Sequence, residues 1–193
     1  MHRKLIAVTF SLILGTILAL PRLTRAENLK VDPVHSFLVF QIKHIDVSYV
    51  WGRVNSPSGS VNIDDGNLAS SSVTVSAKAE NVDTGVKQRD DHLRNADFFD
   101  AKQYPNISFK STSIKKAGDN AYEVTGDFSL HGQTKPITVT VTKVGAGDKG
   151  GQFGYRAGYE TSFTIKRSDF GMTTMVGPVG DDVKIFVALE CTK

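Results

Sequence analysis

From Ser36 onward, apolar and polar residues alternate with a period of two in run after run, the signature of strands with one buried face. In Ser36–Ile45, Leu38, Phe40, Ile42 and His44 share one face, and Phe37, Val39, Gln41 and Lys43 the other. Trp51–Asp64 continues the pattern, and its break at Ser56-Pro57-Ser58-Gly59 predicts a bend or bulge. Further apolar faces run through Val73–Ala79, Ile107–Ser111, Tyr122–Leu130, Ile137–Val141, Tyr155–Ile165 and Val183–Leu189. Between them lie turn signals: Asp65-Gly66-Asn67, Lys116–Asn120, Gly132–Pro136, the Gly-rich Gly145–Gly151 and a loop over Phe170–Gly180. About eight strands joined mainly by hairpins predict an all-β, antiparallel sheet, and closing it into a barrel removes the exposed edges. The apolar faces mix Phe, Tyr and Leu with Ala, Gly and Ser. A solid core favours bulk at most inward positions, so this mixture predicts an extended barrel with room inside.

One stretch departs from the period of two. Arg89–Pro105 packs two arginines, a histidine and several aspartates, then closes on Phe98, Phe99 and Tyr104-Pro105. The pattern predicts a short helix over about Val86–Asn95, capped by Asp83 or Thr84, lying as a lid across one end of the barrel.

The beginning of the chain changes the charge picture. Residues 1–26 hold Arg3 and Lys4, an apolar run from Leu5 to Leu20, and small residues near Ala26. This reads as a secretory signal peptide followed by one domain, 27–193; the run is shorter than the roughly 20 residues that span a bilayer. Residues 1–26 carry four of the 23 basic residues and none of the 20 acidic ones, so the overall +3 becomes −1 without them. No basic patch remains to argue for nucleic acid. Cys191 is the only cysteine, so no internal disulfide forms; an exported protein of this kind fits a bacterial periplasm.

An ordered set of motifs runs the length of the domain: Asp32-x-x-His35-Ser36, Phe40-x-x-x-His44, Arg89-Asp90-x-His92-Leu93, Asp97-Phe98-Phe99, Tyr104-Pro105-x-Ile107-x-Phe109, Gly132-x-Thr134-Lys135-Pro136, Arg167-Ser168-Asp169-Phe170-Gly171 and Gly180-Asp181-x-Val183. Together they resemble the YceI-like family of polyisoprenoid-binding, lipocalin-like proteins. The resemblance implies an extended eight-stranded antiparallel barrel with a short helix crossing one end. It also implies a periplasmic location, and an interior that holds an isoprenoid lipid such as a polyprenyl phosphate or a quinone tail. Transport, storage and sequestration of that lipid are all compatible with it, as is transient membrane contact. Monomer and homodimer both remain open.

On this reading the wall of the cavity is expected from Phe40, Ile42, His44, Phe98, Phe99, Phe109, Phe128, Phe163, Phe170, Met172 and Met175. The methionines are the adaptable part. Arg89, Asp90 and His92 are expected either at a polar mouth or as anchors of the helix, with Arg89 paired to a carboxylate. No cofactor, metal or catalytic residue is assigned. The rival class is an enzyme or redox accessory acting on a quinone-type lipid, but no HxxxH, HxH, CxxC or GxSxG pattern supports one. An outer-membrane barrel is disfavoured by Thr, Ser, Lys and Glu on the outer strand faces.

Overall fold

The structure, a computed structural model, describes residues 28–193; the expected signal peptide lies outside them. Eleven strand segments follow one another: β1 (Leu29–Val31), β2 (Phe37–His44), β3 (Ser48–Val54), β4 (Ser58–Asn62), β5 (Ser72–Lys78), β6 (Val82–Asp83), β7 (Asn106–Gly118), β8 (Ala121–Leu130), β9 (Gln133–Asp148), β10 (Tyr155–Lys166) and β11 (Val179–Thr192). One helix, α1 (Lys87–Leu93), stands between β6 and β7.

All named strand pairings are antiparallel, and they close a barrel of eight staves. Two staves are interrupted. β1 and β2 pair with successive parts of β11, Val31 opposite Cys191 and Leu38 opposite Val187. β4 pairs with β1 and β3 with β2. The break between β3 and β4 falls at the Ser56–Pro57 interruption, with Ser56 at φ 57°. From there the sheet runs through β5, β7, β8, β9 and β10 back to β11.

Inward and outward faces follow the alternation. In β8, Tyr122, Val124, Gly126, Phe128 and Leu130 are buried and the residues between them are not. Gly126 has a steric reason: a Cβ there would lie 2.4 Å from the Lys110 carbonyl oxygen and 2.5 Å from the Phe109 ring. Gly52 likewise makes room for the Phe40 ring, 2.3 Å from where its Cβ would stand. The strand glycines thus admit aromatic rings into the interior.

Several boundaries differ from the sequence reading. β1 carries too few residues to show a period and was not expected. The turn expected over Gly132–Pro136 occupies only His131 and Gly132, both at positive φ, and Pro136 sits inside β9 opposite Asp127. β9 also runs through the Gly-rich segment to Asp148, because Gly145–Asp148 pair with Tyr155–Gly158.

β5 stops at Lys78, and β6 reaches only Arg53 and Val54 of β3. The upper part of β3 therefore has no strand on its far side among the described residues. α1 and the segment after it fill that gap and cross the end of the barrel. The helix is not capped by Asp83 or Thr84 as expected: Val86 is its N-cap and makes no side-chain bond. The capping contact runs the other way. Asp90, inside the helix and buried, accepts from the Thr84 backbone N–H (2.8 Å) and hydroxyl.

Candidate functional site

The two ends of the barrel are filled differently. At one end Leu29, Val61, Val73, Tyr122, Val124, Ala157, Tyr159, Leu189 and Cys191 form a packed cluster. Burial raises the pKa of the Tyr159 hydroxyl, and pushes the Cys191 thiol up to about 11, so this cysteine is a small apolar core residue rather than a nucleophile. The Tyr122 hydroxyl donates to Asp65 Oδ1 (2.8 Å), and Lys116 Nζ lies 2.6 Å from the same oxygen; Lys116 first and the hydroxyl second hold the Asp65 carboxyl below its usual range.

Above this cluster the barrel is partly hollow, with a smaller buried cluster of Phe128, Leu130, Ile165, Phe170 and Met172 toward the far end. A cavity of about 480 Å³ runs up the interior to the helix-covered end. Its wall extends from Val61 and Leu189 to His44 and Met175. The stretch of β2 from Leu38 to His44 alone spans roughly 20 Å at strand rise. Phe40, Ile42, Phe109 and Phe163 face inward and yet are only half-buried, because part of each side chain borders empty space.

Of the expected wall residues, Phe40, Ile42, His44, Phe98, Phe99, Phe109, Phe128, Phe163, Met172 and Met175 border the cavity. Phe170 does not. The chain leaves strand geometry at Arg167, so strand parity no longer places the side chain; Phe170 packs edge-on behind Phe128, at 5.5 Å between ring centres. His44 is exposed at the rim rather than enclosed in the core.

The polar group divides. Asp90 is a helix anchor. Arg89 borders the cavity, but the expected carboxylate partner is missing among the described residues; Arg89 instead donates to the Thr84 hydroxyl (2.7 Å) and carbonyl (2.9 Å). Its charge is thus held in place without being neutralised by an ion pair. His92 borders the cavity, stacks edge-on against Phe98 and lies 2.9 Å from Asp97.

Two residues of this end are not among the expected site residues; the sequence offers Thr84 only as a candidate helix cap. Thr84 joins Arg89 to Asp90. Arg167 is buried and donates to four backbone carbonyls, those of Met172, Thr174, Val179 and Gly180, at 2.8–3.0 Å. Burial works against its charge and Asp181 favours it. This guanidinium pins the loop that carries Met172 and Met175 to the mouth. Its only sequence signal was its place in the Arg167-Ser168-Asp169-Phe170-Gly171 motif.

One cluster of ligand-type side chains, Asp32, His35 and Glu190, brings its atoms within 4.8 Å of one another outside the cavity. Arg156 approaches Glu190 at 3.6 Å and Asp32 at 3.9 Å, so a cation of the protein already serves it.

The model of the YceI-like domain matches residues 29–191. The chain belongs to the YceI-like family. A curated relative from Pseudomonas aeruginosa, a UPF0312 protein, is 37% identical over 182 residues, covering 93% of this chain and 94% of its own. A UPF0312 protein of Pectobacterium atrosepticum is 39% identical over 157 residues, 81% of this chain and 80% of its own. Among solved structures, Burkholderia cenocepacia BcnA superposes with a TM-score of 0.76 at 30% identity, over 84% of this YceI-like chain and 99% of BcnA. A polyisoprenoid-binding domain from Saccharophagus degradans shares the fold, with a TM-score of 0.65 at 16% identity, over 85% and 97% of the two chains.

Proposed function

We propose that this YceI-like protein is exported to the periplasm, where it holds the apolar chain of an isoprenoid lipid, a polyprenyl or quinone tail, in the barrel interior. The single observation behind this is the elongated apolar cavity of about 480 Å³, which falls within the usual range for small-molecule sites. Burying a few isoprene units contributes on the order of 10 kcal/mol at ~0.8 kcal/mol per CH₂, before the ordering of the tail is subtracted. The wall supplies Phe and Met side chains that adapt to a branched, flexible tail. The Saccharophagus neighbour is a polyisoprenoid-binding domain, which supports this ligand class. The signal-like pattern of residues 1–26 supports export. Holding a lipid requires no catalytic group, so the protein acts as a carrier or store and not as an enzyme on the lipid.

Native mass spectrometry of the protein as isolated is the test. Bound isoprenoid lipid is expected; preparations from several hosts that carry no lipid, and take none up when offered a polyprenyl phosphate or a quinone, overturn the proposal. Turnover of a quinone that disappears in His44→Ala or His92→Ala, with the fold intact, instead establishes the enzyme reading.

A further inference from the structure

The open end of the barrel carries apolar side chains that folding does not explain. The β2–β3 hairpin turns through Ile45 and Asp46, at φ 42° and 59°, with the Val47 N–H donating to the His44 carbonyl. Such a turn favours Asn-Gly, and a β-branched residue at positive φ is strained. Nevertheless Ile45 stands there 54% exposed, followed by Val47 at 78%. The tip of the loop between β10 and β11 joins it: the Ile45 N–H donates to the Pro178 carbonyl at 2.7 Å, and Met175 and Val176 beside it are about half exposed. Met175, at φ 56°, also borders the cavity, as do His44 and Val179. The apolar tips are therefore continuous with the apolar wall of the site.

Polarity is graded away from these tips. Behind Val47 on the outer face of β3 come Tyr49 and then Trp51, both exposed. Across the sheet Lys43 lies opposite Tyr49, and Lys184 in the row of Trp51 through Gln41. Aliphatic side chains first, then amphipathic rings flanked by lysines, match the order in which a bilayer presents acyl chains, interface and phosphates. We propose that this rim docks on a phospholipid bilayer, with Ile45, Val47, Met175 and Val176 at the acyl boundary, and that lipid enters and leaves the cavity there. The transfer step rests on the carrier reading above; the docking itself does not.

Trp51 is the only tryptophan in the chain, so its fluorescence reports on this face alone. The barrel closes within residues 29–192, so a chain starting at residue 27 keeps every strand. Such a chain is expected to float with phosphatidylcholine vesicles containing a minor share of phosphatidylglycerol, and brominated phosphatidylcholine is expected to quench Trp51. The double variant Val47→Asp/Val176→Asp, changed only at exposed positions, should partition at least about tenfold more weakly while retaining the lipid it was isolated with. Val144→Asp, exposed near the opposite end, should float like the parent.

Absence of flotation and quenching in both lipid-loaded and delipidated protein overturns the proposal. So does equal flotation of the double variant, or a double variant whose only change is loss of a dimer, which makes the rim an interface between copies. Flotation without any lipid in the cavity preserves docking and removes the carrier reading.

Discussion

The packed end of the barrel and its hollow end are built from the same staves, yet they do different things with inward side chains. Toward the packed end of β8, Tyr122 and Val124 are fully buried. Across the barrel on β2, Phe40 and Ile42 face inward with part of their surface uncovered. Tyr122 is anchored by Asp65 and Lys116, and the cluster around it closes the floor. The mouth end has a smaller buried cluster, Phe128, Leu130, Ile165, Phe170 and Met172, and there α1 and the loop after β10 are also held by bonds between backbone groups and Asp90, Arg89 and Arg167. The larger apolar cluster lies at the floor, and the cavity opens toward the end where a smaller cluster is supplemented by polar clamps.

Four measurements sharpen or break this division. Tyr122→Ala removes a fully buried ring from the floor and should cost about 3–5 kcal/mol in urea unfolding. A loss comparable to that of an exposed residue would show that the floor is not the stabilising end. Arg167→Ala leaves four carbonyls of the mouth loop without their shared donor and should cost roughly 2–3 kcal/mol. Hydrogen exchange should rise over residues 172–180 and remain slow around Tyr122; uniform acceleration would mean that the two ends unfold as one.

Val183→Phe places bulk on the cavity wall at a side chain that is only partly buried, and takes the space of two or three methylene groups. Lipid affinity should fall about tenfold or more by native mass spectrometry, from ~0.8 kcal/mol per displaced CH₂, with unfolding little changed. Unchanged affinity would place the ligand elsewhere. The smallest effect concerns pH. Arg53, Gly85 N–H and Asn55 hold the exposed Asp83 carboxyl down at about 2, against 3.8 unperturbed. A depressed carboxylate contributes stability that is present above the unfolded value and is lost as pH falls toward 2. Asp83→Asn should therefore flatten the stability profile between pH 4 and 2 and leave it unchanged in shape at pH 7; an unaltered acid limb would discount this contact.

Much of the barrel was legible because a period of two is a direct print of strand geometry. The inward sets of β8, β10 and β11 follow from alternation alone. What was hidden depends on partners far away in sequence. Three residues of β1 become a strand only because β11 and β4 lie beside them. Gly145–Asp148 read as loop by composition and are strand by pairing. Phe170, expected at the start of a loop and on the cavity wall, ends a 3-10 turn over Arg167–Phe170 that sends its ring behind Phe128. The clamps at Thr84 and Arg167 form through bonds to backbone carbonyls or within a short local network, for which no residue pattern is diagnostic.

The final strand bonds to both ends of the first stave and to β10, and Ser36 reaches Glu190 across 154 positions. Until β11 has been made, the sheet is an open ribbon with a seam and encloses no volume. Ligand capacity therefore arises in one late event, and a chain stopped at residue 178, ahead of β11, should remain protease-sensitive and empty however well its hairpins form. Under the proposed export, in which the polypeptide crosses a membrane unfolded, a shape that cannot lock before β11 arrives is an advantage fixed by connectivity alone.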